Sequence, residues 1–245
     1  MTVLTVDIGN SSVKLDVWEE SRHLFHNSVF DFDEEEAKNL QEKYSLQGAI
    51  FSSVRGLNLW EYANINSIME VPVIIFPSEP KESYIHPGSY DNGAGSDRIA
   101  ACIGAHSLFP EENLLVVDAG TAVTIDLCDN RGLFCGGNIS LGITGRLEAL
   151  HERTSLLPRV ELDGPVSDFG NNTSSAIRNG AVNGVVAEIC LCFQCAQKER
   201  EVTKVVLTGG DAPLLLPYLE NLDLPCHFDP YLVGRGLNAE FKRRV

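Results

Sequence analysis

The chain has 245 residues, 44% of them apolar, which is enough for one large domain or for two of about 110–130 residues each. Its formal net charge of −15 disfavours binding to a phosphate backbone, which relies on Lys and Arg, so no nucleic-acid partner is expected. No apolar run approaches the ~20 residues of a membrane span, and Met1 leads into a strand-like segment without a basic n-region, so neither a membrane partner nor a signal peptide is expected. The seven cysteines are odd in number and lack disulfide-framework spacing, which points to a reducing, cytoplasmic compartment.

In chain order, residues 2–8, 12–18 and 23–30 read as three strands rich in β-branched or aromatic residues. Residues 34–45 read as a helix with an acidic first turn, Glu34-Glu35-Glu36, as the helix dipole favours. Ala49 to Val54 reads as a buried strand, Leu59 to Met69 as a helix, and Val73 to Phe76 as a strand. Residues 77–95 hold Pro77, Pro80, Pro87, Gly88, Gly93 and Gly95 among Tyr84, Tyr90, Asp91 and Asn92. That composition predicts a long irregular loop, the kind that often carries function. Asp97 to Leu108 reads as a helix that stops before Pro110. A second series begins near Leu114: strand, turn, strand, a third strand over 132–139, and a short helix over 143–153. After a loop-rich stretch, 154–171, come a long helix from Thr173 to about Lys198, a strand over 204–207, a short helix over 213–219, and a short helical tail after Asp229-Pro230.

One acidic, glycine-containing turn occurs in both series. Leu4-Thr5-Val6 runs into Asp7-Ile8-Gly9-Asn10-Ser11, and Leu115-Val116-Val117 runs into Asp118-Ala119-Gly120-Thr121-Ala122. Glycine lets backbone N–H groups approach phosphate oxygens, and the Asp stands where a hydrated Mg²⁺ could bridge to them. A single Asp-x-Gly is often only a turn-stabilising Asp; two copies with Asp16 and Asp126 at matching downstream positions favour nucleotide binding. The β-β-β-α-β-α-β order and the repeated turn are the layout of the actin/hexokinase/Hsp70 type of ATPase. The fold class expected is therefore α/β with an actin-like (ribonuclease H-like) fold: two duplicated βββαβα-type domains, 1–111 and 112–245, packed around a nucleotide cleft.

Other positions carry two readings. Lys14 could reach a transferred phosphate or be a solvated strand residue. Gly95-Ser96-Asp97-Arg98 opens a helix; Asp97 is either an N-terminal cap or the group that accepts a hydrogen bond from a substrate hydroxyl. Arg98 offers a planar fork for a carboxylate. Thr208-Gly209-Gly210-Asp211 is a third nucleotide-type turn, and Gly136-Gly137 is a cleft wall or a tight strand end. Cys190, Cys192 and Cys195 read as buried helix-face thiols rather than a metal site. Gly180 and Gly184, four apart on the same helix, suit a close helix–helix contact such as a dimer seam.

These motifs, together with Asn172-Thr173, occur in the order found in type III pantothenate kinases, and the resemblance covers essentially the whole chain. It implies an actin-like (ASKHA) fold, a homodimer, and phosphorylation of pantothenate by ATP, the first step of coenzyme A synthesis. It also implies dependence on Mg²⁺ and on a monovalent cation, K⁺ or NH₄⁺. By position, Asp7, Ile8, Gly9, Asn10, Ser11, Ser12, Val13 and Lys14 would bind ATP, with Thr121 helping. Asp97 would be the proton acceptor. Tyr90, Gly95, Ser96, Arg98 and Thr173 would contact pantothenate, Thr173 from the partner subunit, and Asp118 would hold the monovalent cation.

Three departures stand out. Ser11 replaces the family's usual Thr but keeps the hydroxyl, and Leu141 stands in a Pro position. Tyr90 precedes Gly95 by five residues, where the family's substrate-binding Tyr stands further upstream. The alternatives to a pantothenate kinase are a kinase for another small hydroxy acid or sugar, and a non-catalytic transcription accessory factor.

Overall fold

The computed structural model describes residues 1–55, 65, 67–91 and 93–245. The helix expected over Leu59–Met69 falls mostly outside the described residues, as does Asn92. By internal contacts the chain forms two compact units. The first comprises Met1–Glu111, Cys128–Gly136 and Tyr231–Val245; the second comprises Glu112–Leu127 and Gly137–Pro230.

The first unit is built on a five-stranded sheet of order β3-β2-β1-β4-β5. Its strands are β1 (Thr2–Ile8), β2 (Val13–Glu19), β3 (Arg22–Val29), β4 (Gly48–Ser53) and β5 (Val73–Phe76). β1 pairs antiparallel with β2 and parallel with β4. Leu4, Val6, Val13, Leu15, Val17, Ala49 and Phe51 form one core, covered by Ala37 and Leu40 of α1 (Glu34–Tyr44). Asp33 caps α1 by accepting a hydrogen bond from the Glu35 N–H at 2.9 Å, which satisfies one orphan donor of the first turn. α6 (Leu232–Arg244) also packs on β1 and β4, and α2 (Ser96–Leu108) on β4.

The contact between α2 and α6 is unusually close because glycines occupy it. A Cβ on Gly236 would lie 1.8 Å from the Ala100 carbonyl oxygen, and one on Gly104 would lie 2.2 Å from that of Leu232. The segment expected to be a short helical tail is thus a thirteen-residue helix with Leu232, Leu237, Asn238, Glu240 and Phe241 buried.

The second sheet repeats the pattern, in the order β10-β9-β6-β7-β8. Its strands are β6 (Leu114–Ala119), β7 (Ala122–Cys128), β8 (Phe134–Leu141), β9 (Lys204–Thr208) and β10 (Cys226–Phe228). The three-residue β10 has no counterpart among the strands expected from sequence. α3 (Ile143–Arg153), α4 (Thr173–Arg200) and α5 (Ala212–Asn221) supply Ile143, Leu147, Val182, Val185, Ile189, Leu215 and Leu219 to its core. Among the described residues α4 alone is long and apolar enough to cross a membrane. Its apolar residues Ile177, Val182, Val185, Ile189 and Phe193 are core residues, so packing accounts for its composition. Cys190 and Cys192 on this helix are half-buried and Cys195 is exposed, a correction to the expectation of buried thiols. Burial pushes the Cys190 and Cys192 thiols up, away from thiolate reactivity.

Candidate active site

In the first unit, Asp7 is the next-to-last residue of β1 and is buried. It lies opposite Lys14 on β2 and beside Ser52 on β4. The hairpin turn that follows is closed by the Gly9 N–H donating to the Ser12 carbonyl at 3.0 Å. Arg55 secures this turn from outside: its Nε donates to the Gly9 carbonyl at 2.7 Å and its Nη2 to the Asn10 carbonyl at 2.9 Å. Two carbonyls are thereby engaged on one guanidinium, and the turn is held in one shape.

The β1–β4 pairing also joins the turn to the second motif. Ser52, next to Asp7, donates from Oγ to Ser96 Oγ at 2.9 Å, and Ser96 Oγ donates to the Ser53 carbonyl at 3.3 Å. Both serine side chains are buried, so each hydroxyl needs such a partner. This relay fixes the first turn of α2 against the end of β4. Gly95 is the N-cap of α2 with extended backbone, and a Cβ there would lie 2.4 Å from Asp97 Oδ1, so a larger residue would displace the Asp97 carboxylate. Asp97 is half-buried and accepts from the Arg98 N–H at 2.8 Å. Asp97 is not the N-cap of α2, a position that Gly95 holds; it lies inside the first turn.

Arg98 is 6% exposed. Its guanidinium carbon stands 5.1 Å from the Phe134 ring centroid and 5.9 Å from that of Tyr90, and the two rings meet edge to face at 5.2 Å. Aromatic faces of this kind orient a guanidinium without consuming its hydrogen-bond donors. Tyr90 is brought there by a tied-down loop. The Ser89 N–H donates to the His86 carbonyl at 3.1 Å, the His86 N–H to the Phe134 carbonyl at 2.9 Å, and Lys81 Nζ to the Ala94 carbonyl at 2.8 Å. Tyr90, Gly95, Ser96, Asp97 and Arg98 thus gather within the first unit, near the Asp7 turn. Ser52, Arg55 and Phe134 were missed by the sequence reading. The only signal for the serines was two hydroxyls ending a buried apolar strand.

In the second unit, Asp118, next to last in β6, lies beside Thr208 on β9. The Gly120 N–H donates to the Ala122 carbonyl at 3.0 Å, which closes the turn that exposes Thr121. Gly142 backs the turn: its N–H donates to the Thr121 carbonyl at 3.1 Å, and a Cβ on it would lie 1.9 Å from the Gly120 oxygen. Gly209, at φ +97°, approaches Ala119 and Asp118, and the Asp211 N–H donates to the Ala119 carbonyl at 2.9 Å. Burial pushes the Asp211 carboxyl up, partly offset by a hydrogen bond from the Ile143 N–H. Thr173 opens α4 behind an Asn172–Ser175 capping box. It lines an open depression of about 540 Å³ together with Leu150, Leu157, Asn172 and Ile177.

Two sheets of identical strand order, each with an Asp-x-Gly turn between its first two strands, define an α/β protein of the actin-like ATPase fold. Solved structures with this fold include a conserved Campylobacter jejuni protein named for the Baf family of transcriptional activators (TM-score 0.63, 24% identity, 98% of each chain covered). They also include a ROK hexokinase from Thermus thermophilus (TM-score 0.52, 16% identity, 99% and 100% covered). The family model described as type III pantothenate kinase matches residues 3–193, and the chain belongs to that family. A type III pantothenate kinase of Bacteroides fragilis is 34% identical over 237 residues, covering 96% of this chain and 95% of its own. One from Flavobacterium johnsoniae is 35% identical over 226 residues, covering 89% and 90%.

Proposed function

We propose that the chain transfers the γ-phosphoryl group of ATP to the primary hydroxyl of pantothenate, the first step of coenzyme A synthesis. The observation that carries the reading is the serine relay from Asp7's neighbour Ser52 to Ser96, which couples a phosphate-type turn to the first turn of the helix that carries Asp97 and Arg98. Asp7 to Lys14 hold the ATP phosphates through backbone N–H groups and the Ser11 and Ser12 hydroxyls, and Thr121 assists. Asp97 accepts the proton of the attacking hydroxyl and orients it, and positioning of this kind is most of what phosphoryl transfer asks of a protein. Arg98, steadied by Tyr90 and Phe134, pairs with the pantothenate carboxylate, while Gly95, Ser96 and Tyr90 shape its pocket.

The carboxylates of Asp7 and Asp118 are hard oxygen donors at the ends of β1 and β6, a donor chemistry that fits Mg²⁺ and K⁺ or NH₄⁺ rather than a thiophilic metal. Asp118 is the residue assigned to the monovalent cation. When bound, such cations offset the negative charge of the phosphates. A homodimer is supported by the exposed apolar side chains Ile139, Leu141, Leu156, Phe169 and Leu191 and by Gly180, whose side-chain position opens onto free space. Thr173 then reaches pantothenate from the partner subunit.

The test is a coupled ADP-release assay with ATP, Mg²⁺ and pantothenate, run in K⁺ and then in Na⁺ alone. K⁺-dependent turnover is expected. Turnover only with another hydroxy acid or a sugar would relocate the substrate, and none with any acceptor would leave a non-catalytic role.

A further inference from the structure

Apart from the site above, three metal-ligating side chains of the first unit converge through an irregularity in the sheet. In the β2–β3 pair Asp16 lies opposite His26 and Trp18 opposite His23, with a shift of register between Val17 and Trp18. Residues three apart on a regular strand face opposite ways. Here the extra residue, Leu24, turns His23 back to the face of His26 and Asp16, which is what a β-bulge does.

The result is compact. His23 Nε2 and His26 Nδ1 each lie 2.8 Å from Asp16 Oδ1, and the three donor atoms lie within 4.8 Å of one another. The rings are held in place: His23 stacks on Tyr231 at 3.8 Å and meets Trp18 edge-on at 4.8 Å. The other carboxylate oxygen, Asp16 Oδ2, faces the first turn of α6, where a Cβ on Gly234 would lie only 2.7 Å from it. The Asp16 side chain is 4% exposed, that of His23 18% and that of His26 33%, so the cluster is walled on the protein side and open on the imidazole side.

We propose that Asp16 Oδ1, His23 Nε2 and His26 Nδ1 bind one divalent transition-metal ion, zinc being the best match, with water in the fourth position. Two imidazole nitrogens and one carboxylate oxygen suit Zn²⁺, Co²⁺ or Ni²⁺ and not the oxygen-seeking Mg²⁺. Tetrahedral zinc with bonds of about 2.0–2.2 Å spaces its donors roughly 3.3–3.5 Å apart, so the two N–O contacts must open by about 0.5–0.7 Å, while the two nitrogens, within 4.8 Å of each other, settle to the same spacing. The ion would tie β2 and β3 beside the start of α6. It is distinct from any cation serving the phosphates.

The experiment uses the full chain, stripped with a chelator and dialysed against zinc in excess Mg²⁺. One zinc per chain and a zinc-dependent rise in Tm are expected, and His26→Ala should weaken binding at least about tenfold, since even a metal site's outer partners are worth that much. His26→Gln, with its fold verified by circular dichroism, serves if the alanine variant does not fold. Absence of stoichiometric zinc overturns the proposal. So does zinc that persists in the His23→Ala and His26→Ala variants, or that is lost only when thiols such as Cys195 are alkylated.

Discussion

Arg55 grips the carbonyl of Gly9: its Nε donates across 2.7 Å, while Nη2 of the same guanidinium takes the Asn10 carbonyl at 2.9 Å. The turn proposed to meet the ATP phosphates is therefore shaped by a residue 46 positions away. Arg55→Ala removes two charge-assisted hydrogen bonds, each worth about 1.5–3 kcal/mol at most. The side chain is 39% exposed, so much of that is returned by water. About 1.4 kcal/mol of lost turn organisation is expected, a roughly tenfold fall in kcat/KM for ATP, with Tm nearly unchanged. Steady-state kinetics at varied ATP checks this, and an unaltered kcat/KM would make Arg55 incidental to the turn.

Asp97 is expected to matter to chemistry and not to ATP binding. Asp97→Asn keeps the shape and the acceptor oxygen that meets the Arg98 N–H, but cannot take up the substrate proton. Turnover should fall by about 10²–10⁴-fold, while ATP affinity measured by calorimetry changes little. Retained turnover would take Asp97 out of the role.

Strands such as β1 and β6 were legible because β-branched runs ending in Asp-x-Gly leave few alternatives. The size of α6 was not: Gly234 and Gly236 fall in its first turns, where helix propensity is poor, and the helix persists because α2 and the sheet bury it. β10 is three residues long, below what a pattern can register. In the candidate site, Asp97 and Arg98 were visible as a motif, whereas Ser52 and Arg55 act through strand register with partners more than 40 residues away. His23 and His26 share a face only through the bulge in β3, which a spacing of three residues does not announce.

The glycine contact between α2 and α6 gives a stability prediction. Gly236→Ala would place a methyl 1.8 Å from the Ala100 carbonyl oxygen, a backbone atom that cannot rotate away. Helix propensity favours Ala by about 1 kcal/mol, yet overpacking of this kind costs about 1–3 kcal/mol or more, and here it must separate two helices. Net destabilisation is expected, seen as a lower urea midpoint. A higher midpoint would mean that the helices part easily at this point.

Glu240 gives the pH dependence. Its side chain is 1% exposed and accepts hydrogen bonds from Tyr84 Oη at 2.7 Å, Ser78 Oγ at 3.0 Å, Arg243 Nε at 2.8 Å and Arg244 Nε at 3.0 Å. Burial alone would raise its carboxyl, but the bonds from Arg243, Tyr84, Arg244 and Ser78 outweigh burial and hold it below the ordinary value of 4.5. A carboxyl that binds its proton more weakly when folded adds stability above the unfolded value, and this is lost as pH falls from about 4.5 through the lower folded value. Glu79 and Glu20 are also lowered, by Arg244 and by the N-terminal ammonium respectively, but they are solvated and add little. Glu240→Gln should therefore cost about 2–3 kcal/mol at pH 7, because two guanidinium groups lose their buried counter-charge. It should also lose less stability than the wild type between pH 5 and 3. Thermal melts of both proteins across that range decide the matter: converging curves are expected, and parallel curves would put the acid sensitivity on other carboxylates.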